Sequence, residues 1–179
     1  TVLGFKASTL LFDVPGRFTR FKADIAGDPG SLEGAQVRLE IDARSINTAN
    51  NSRDEHLRTA DFFDVVKYPK ITFTSQTVRK DGDRVVVRGT LVMHGVSKDL
   101  DLPFVAAEGM NGADVHTWSY RATLPLDRLD FGVGADSVAA KISLRRPVEL
   151  DLLLVGFFEE PVPPAKPGAA KGKKAAVKK

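Results

Sequence analysis

Cysteine is absent from all 179 residues, which removes disulfides, thiolate metal sites and cysteine nucleophiles in one step. It leaves the compartment open, because many secreted proteins also lack it. No run of 18 or more apolar residues occurs, so a membrane-spanning helix is excluded. The three histidines, His56, His94 and His116, stand apart, with no H-x-H or H-E-x-x-H spacing, so no metal site is expected. His94 precedes Gly95 and reads as a turn residue. No G-x-S-x-G elbow and no G-x-x-x-x-G-K-[ST] loop is present. Phe131-Gly132-Val133-Gly134 contains only G-x-G, lies between strands and opens no helix, so it is not a dinucleotide fingerprint. A non-enzyme without cofactor or metal is the expectation.

Charge is divided unevenly along the chain. The formal charge is +3, yet residues 161–179 hold six lysines and no acid, so the rest is mildly acidic. Residues 159–179 are rich in Pro, Gly, Ala and Lys and have almost nothing to bury, so a disordered basic tail is expected there. A weak contact with an anionic surface is one role for it, and a solvated terminus is the simpler one. No arginine or aromatic interleaves with these lysines, which argues against specific nucleic-acid binding. Thr1 is not a methionine and no secretory segment precedes the first strand, which leaves a processed or trimmed N-terminus open.

What remains is strand after strand. Eight runs near 2–8, 16–27, 35–46, 70–79, 84–94, 98–107, 117–127 and 141–156 are strand-like, and several alternate apolar and polar residues clearly. Val37, Leu39 and Ile41 oppose Arg38 and Glu40; Leu100, Leu102 and Phe104 oppose Asp99 and Asp101. Ile71 and Phe73 share a face, as do Trp118, Tyr120, Ala122 and Leu124, and then Val148, Leu150, Leu152 and Leu154. Phe18 and Phe21 differ in parity, so a bulge near Thr19–Arg20 is expected. Asp81-Gly82, His94-Gly95 and Asn111-Gly112 supply turns for a meander. With one apolar face per strand and no helices to cover it, closure removes the sheet edges. The predicted fold is all-β: an eight-stranded antiparallel up-and-down barrel over 1–158, with one short helix in the loop between the third and fourth strands.

That helix is expected near 53–63, started by a Ser52…Glu55 capping box and ended before Tyr68-Pro69. Phe62 and Phe63 would make it a lid over the barrel end. From pattern alone the inward face is equally a dry core or a ligand cavity. The polar loop 47–54 beside the lid favours a cavity, with Asn47, Asn50, Arg53 and His56 holding an amphiphile's head group at the mouth. The apolar lining would be Phe18, Phe21, Leu39, Ile41, Phe62 and Phe63, then Phe73, Leu91, Leu102 and Phe104, then Trp118, Tyr120, Leu150 and Leu152.

Several blocks occur in order: Ser45-Ile46-Asn47-Thr48 with Asn50, Arg53-Asp54-Glu55-His56-Leu57, Asp61-Phe62-Phe63-Asp64, and Tyr68-Pro69-Lys70-Ile71-Thr72-Phe73. Gly89-Thr90-Leu91-Val92-Met93-His94-Gly95-Val96 and Asp130-Phe131-Gly132-Val133 follow, and Val14-Pro15-Gly16-Arg17-Phe18 precedes them. With these blocks the chain resembles the YceI-like family over about 2–156. The N-terminal Asp-x-x-His-Ser segment usual in that family is missing, and Thr9 stands where a histidine is common. The resemblance implies a lipocalin-like barrel that binds a polyisoprenoid, an isoprenoid quinone or a fatty-acid-like lipid and carries or stores it. It also implies a periplasmic or secreted location, with a cytoplasmic one as the alternative. An enzyme acting on a bound amphiphile, or a dry-core interaction module using the basic tail, are the other classes. The oligomeric state is open, a homodimer included.

Overall fold

The computed structural model describes residues 1–27, 34–110 and 116–157; for 107–110, 116–118 and 156–157 it describes the backbone alone. The tail 159–179, the Asn111-Gly112 turn and the side chain of Trp118 therefore lie outside the described residues. Ten strands form one strongly curled antiparallel sheet: β1 (Val2–Thr9), β2 (Asp13–Phe18), β3 (Phe21–Ala26), β4 (Gln36–Asp42), β5 (Ile46–Asn47), β6 (Lys70–Asp81), β7 (Arg84–Met93), β8 (Val96–Met110), β9 (His116–Asp127) and β10 (Leu144–Phe157). Their order is β3-β4-β6-β7-β8-β9-β10-β1-β2-β5.

Ten strands replace the expected eight because two runs are broken. At Thr19–Arg20 the chain leaves the ladder, and Ser45 fills the gap: its carbonyl accepts from the Thr19 N–H (3.2 Å) and its Oγ from the Arg20 N–H (3.0 Å). The facing run is broken at the same level by a 3-10 turn at Ala43–Ser45. As a result β3 pairs with β4 while β2 pairs with β5.

Side-chain parity holds within the strands. Ile41, Ile71, Phe73, Leu102, Phe104 and Tyr120 are buried, and Val37, Leu39, Leu100, Leu150 and Leu152 are half-buried, whereas Arg38, Glu40 and Asp101 are exposed. The outer face carries cross-strand ion pairs: Lys6–Glu149 (3.1 Å) between directly opposed residues, and Arg121–Asp151 (2.9 Å) on the diagonal, Asp151 itself facing Thr123. These are exposed and add little stability. They do disfavour a one-residue slip, which would bring like faces together.

The helices differ from the expectation. The first, α1, spans Asn51–Arg58, and its N-cap is Asn50, whose side chain accepts from the Arg53 N–H, not Ser52. It ends at Thr59 because the chain folds back, with the N–H groups of Phe63 and Val65 donating to the carbonyls of Leu57 and Arg58. Phe62 and Phe63 consequently sit on this return and not on the helix. A second helix, α2 (Val138–Ser143), was not expected, and its last three residues fall in the start of the last predicted run, 141–156.

Three sequence blocks meet at one tight turn. Met93 pairs with Val96 across His94 (φ 51°) and Gly95 (φ 76°), the left-handed pair that a two-residue hairpin needs. The His94 ring lies 4.8 Å from that of Tyr68, and its Nδ1 is 3.0 Å from the Phe131 carbonyl. A Cβ on Gly95 would come within 2.6 Å of the Tyr68 ring, whereas one on Gly82 (φ 63°) would meet nothing. Gly82→Ala should therefore cost about 1 kcal/mol, the left-handed penalty alone. Gly95→Ala should cost roughly 1–3 kcal/mol more through the collision. Equal shifts in urea midpoint for the two variants would contradict this account.

Candidate functional site

Inside the curled sheet the side chains pack into two apolar clusters but leave space between them and the covering helices. A cavity of about 270 Å³ opens at the end covered by α1 and α2. It shares Phe5, Phe18, Met93, Leu126 and Leu150 with an inner chamber of about 90 Å³. At the far end a void of about 30 Å³ lies among Val85, Phe104 and Tyr120. The walls are almost wholly apolar, and the polar side chains gather at the outer end. Half-burial of Leu39, Leu91, Leu150 and Leu152 follows directly: they point inward and face empty space.

Of the expected lining, Phe18, Phe62, Phe63 and Leu150 border the outer cavity. Leu39, Ile41, Phe73, Leu91, Leu102 and Leu152 line the inner chamber. Phe104 and Tyr120 border only the far void, and Phe21 packs against the core without lining the cavity. Phe5, opposite Gly16 in the β1–β2 ladder, was not singled out by sequence. Its ring occupies the place a Gly16 Cβ would take, 2.3 Å from that position, so glycine there lets an aromatic ring lie flat on the wall.

The mouth is built on Thr48 and Arg128. Thr48 donates from its hydroxyl (2.6 Å) and its N–H (2.9 Å) to Oδ1 of the buried Asp54. Arg53 donates to the Thr48 hydroxyl (2.7 Å) and carbonyl (2.8 Å), fixing that hydroxyl in place. Arg53 and His56 border the cavity as expected. His56 also reaches out to Asp61 (3.1 Å) and stands edge-on to Phe62. Asn47 and Asn50 do not line the cavity: their side-chain oxygens accept the N–H groups of Ala49 and Arg53 and shape the loop instead.

Arg128 carries the other side of the mouth and was not anticipated. It is 5% exposed, and its guanidinium donates to four carbonyls: Val133 (2.8 Å), Arg145 (3.1 Å), Leu144 (3.2 Å) and Ala140 (3.3 Å). Among the described residues no carboxylate lies within ion-pairing distance of it. Burial lowers its pKa from the ordinary guanidinium value, opposed by the charge of Asp127. Partial burial by itself would raise the Asp127 carboxyl. The Arg146 hydrogen bond, the Leu129 N–H and the charges of Arg146 and Arg128 nevertheless hold it below its usual value. The signal for Arg128 was available, since it lies just before the Asp130-Phe131-Gly132-Val133 block.

The family model for the YceI-like domain matches residues 1–154. The chain belongs to the YceI-like family. A UPF0312 protein of Shewanella baltica is 32% identical over 155 residues, covering 85% of this chain and 79% of the relative. One from Vibrio cholerae is 30% identical over 154 residues, covering 82% and 79%. Among solved structures, the Campylobacter jejuni YceI protein superposes with a TM-score of 0.72 at 28% identity, over 84% of this chain and 88% of that one. Burkholderia cenocepacia BcnA gives 0.75 at 24% identity, over 87% and 95%, a likeness of fold. A structure described as a polyisoprenoid binding domain from Saccharophagus degradans gives 0.65 at 22%, over 86% and 91%, again a likeness of fold. In this YceI-like chain α2 and the 3-10 turn at Arg128–Phe131 are held to β10 largely by Arg128. Arg128→Lys should cost about 2–4 kcal/mol, because a compact ammonium cannot span carbonyls on several sides and leaves some unpaired. Amide exchange in α2 should rise with it; unchanged protection there would mean α2 is held by apolar contacts alone.

Proposed function

We propose that this protein binds the hydrocarbon chain of a long-chain amphiphile inside the sheet and carries or stores it without chemical change. The observation that carries the reading is the continuous apolar cavity with its polar groups confined to the mouth. Such a gradient matches a molecule with a long tail and a small head. Each methylene withdrawn from water contributes about 0.8 kcal/mol, so the tail supplies affinity without specific contacts. The head would be oriented by Arg53, Thr48, His56 and the remaining N–H of Arg128. A polyisoprenoid, an isoprenoid quinone and a fatty-acid-like lipid all meet this description. The fold shared with a polyisoprenoid-binding domain supports the first. In this reading the ten strands act as eight staves, β2 with β3 and β4 with β5 each forming one bent stave, so that the sheet closes around the ligand. The periplasm or the extracellular space is the location that suits family membership.

The cavity favours a bound ligand over a dry interaction module, and the two separate experimentally. Natively purified protein should yield a stoichiometric amphiphile on organic extraction, read by mass spectrometry. Ala7→Phe, which puts a ring into the outer cavity, should weaken a fluorescent prenyl probe at least tenfold with little loss of stability. In a dry core the same change would overpack it and cost about 1–3 kcal/mol. An empty extract together with that stability loss would sink the carrier reading.

Phe62 and Phe63 take different roles. Phe63 is half-buried, lines the cavity and meets the Phe18 ring edge-on at 5.9 Å, so it is the movable part of the lid. Phe62 is buried among the core residues. Phe63→Ala should speed probe release in stopped flow more than it slows entry. Phe62→Ala should instead cost about 3–5 kcal/mol in stability. Identical release rates in wild type and Phe63→Ala would remove the gate.

A further inference from the structure

Ten large apolar side chains are exposed among the described residues, and five of them fall on two neighbouring elements: Leu10, Leu11 and Phe12 on the β1–β2 loop, Val138 and Ile142 on α2. Leu11 is 89% exposed and Ile142 71%. The elements are joined by a hydrogen bond from the Leu10 N–H to the Ser143 carbonyl (3.1 Å) and by the Thr9–Leu144 pairing. Both border the cavity, since Thr9, Ala139 and Ser143 lie on its rim.

The loop is also built to leave water. The Thr9 hydroxyl accepts the N–H groups of Leu11 (3.2 Å) and Phe12 (3.0 Å) and donates to the Phe12 carbonyl (2.7 Å). The Thr9 N–H reaches the same carbonyl at 2.9 Å, and the Leu10 N–H is taken by Ser143. Four consecutive backbone donors are thus satisfied within the protein, and no charged side chain lies between residues 7 and 12. A loop meant for water needs neither feature; one entering a medium poor in hydrogen-bond partners needs both. Beside the tips, Lys141 and Arg145 are exposed and have no ion-pair partner among the described residues. Asp13 and Asp136 flank the two elements, so apolar contact carries most of the binding and charge a smaller part.

We propose that this rim docks on the headgroup–acyl boundary of a lipid bilayer, setting the cavity mouth against the membrane. Fixed apolar tips with neighbouring cations are what such a boundary takes up. A second copy of this chain on the same face would close the mouth of both. The orientation rests on the proposed ligand class, but docking is scored on delipidated protein, so its failure leaves the cavity reading untouched.

The full chain, stripped of lipid, is floated with vesicles of phosphatidylcholine and phosphatidylglycerol. Wild type should co-float with modest salt dependence. Leu11→Asp combined with Ile142→Asp should reduce the bound fraction at least tenfold while the melting temperature and solution affinity for a prenyl probe stay unchanged. Val105→Ser, on an exposed apolar residue of the outer wall, should leave flotation as it was. Failure of wild type to float, unaltered flotation of the double variant, or an equal loss in Val105→Ser would overturn the proposal. So would a wild-type dimer by light scattering that the double substitution dissociates with no vesicle binding in either form.

Discussion

The guanidinium of Arg128 ties together the elements on one side of the outer end of the cavity. Its four acceptors belong to the turn after Phe131, to α2 and to the first residues of β10. Burying a cation without a carboxylate is expensive. Here the cost is offset by charge-assisted hydrogen bonds to carbonyl dipoles, two of them at the end of α2, where the partial charge is negative. A helix of six residues could not persist in water unaided. Because Arg128 collects its last carbonyls, α2 can exist, and because α2 exists, the cavity has a roof there.

On the opposite side the same end is held by Asp54. Its carboxylate takes both donors of Thr48, while Arg58 ties α1 back by donating to the carbonyls of Arg44 (2.8 Å) and Ile46 (2.9 Å). Between these anchors the return loop of Phe62 and Phe63 spans the opening. The covering elements are therefore fixed by polar contacts at their outer margins, and the return loop adds the apolar rings of Phe62 and Phe63 to the cavity wall. Rotation of the Phe63 side chain breaks no hydrogen bond, whereas moving α1 as a body would break those of Arg58 and Thr48, so the proposed gate is that ring.

Most strand positions and the inward parity were legible because both depend on a period of two, which failed only where Ser45 and Arg128 impose a turn or a helix. Ile41, Ile71, Phe73, Leu102 and Tyr120 share parity within their strands, and all are buried. What failed was whatever depended on where a side-chain oxygen goes. Asn47 and Asn50 looked like free polar groups at a mouth, yet each satisfies a backbone donor of its own loop. Ser52 satisfied a capping pattern, but Asn50 lies two residues earlier and fits the cap. Leu57 from the helix and Phe63 from the return face the same space, which in sequence looks like one helical face running to residue 63. Val138 and Ile142 are β-branched and Ile142 falls in the strand-like run 141–156, so α2, which depends on contacts from Arg128, left little local signal.

An apolar cavity and an apolar rim impose opposite demands on one end of the molecule. The cavity must be shielded from water, or its empty volume would fill and oppose the tail. The rim must be offered outward, or it would have no function that a polar surface could not serve better. Both demands are met if the outer end faces water only in passing. Thr9 joins them physically: its backbone closes the β1 ladder beside the cavity, and its hydroxyl holds the loop whose side chains point away. A hydrocarbon chain moving between a bilayer and the interior across that boundary would meet apolar atoms throughout, from Leu11 and Phe12 past Ala139 to Phe18. The polar groups of Thr48, Arg53 and Arg128 lie beside that route, where a head group arriving last would find them.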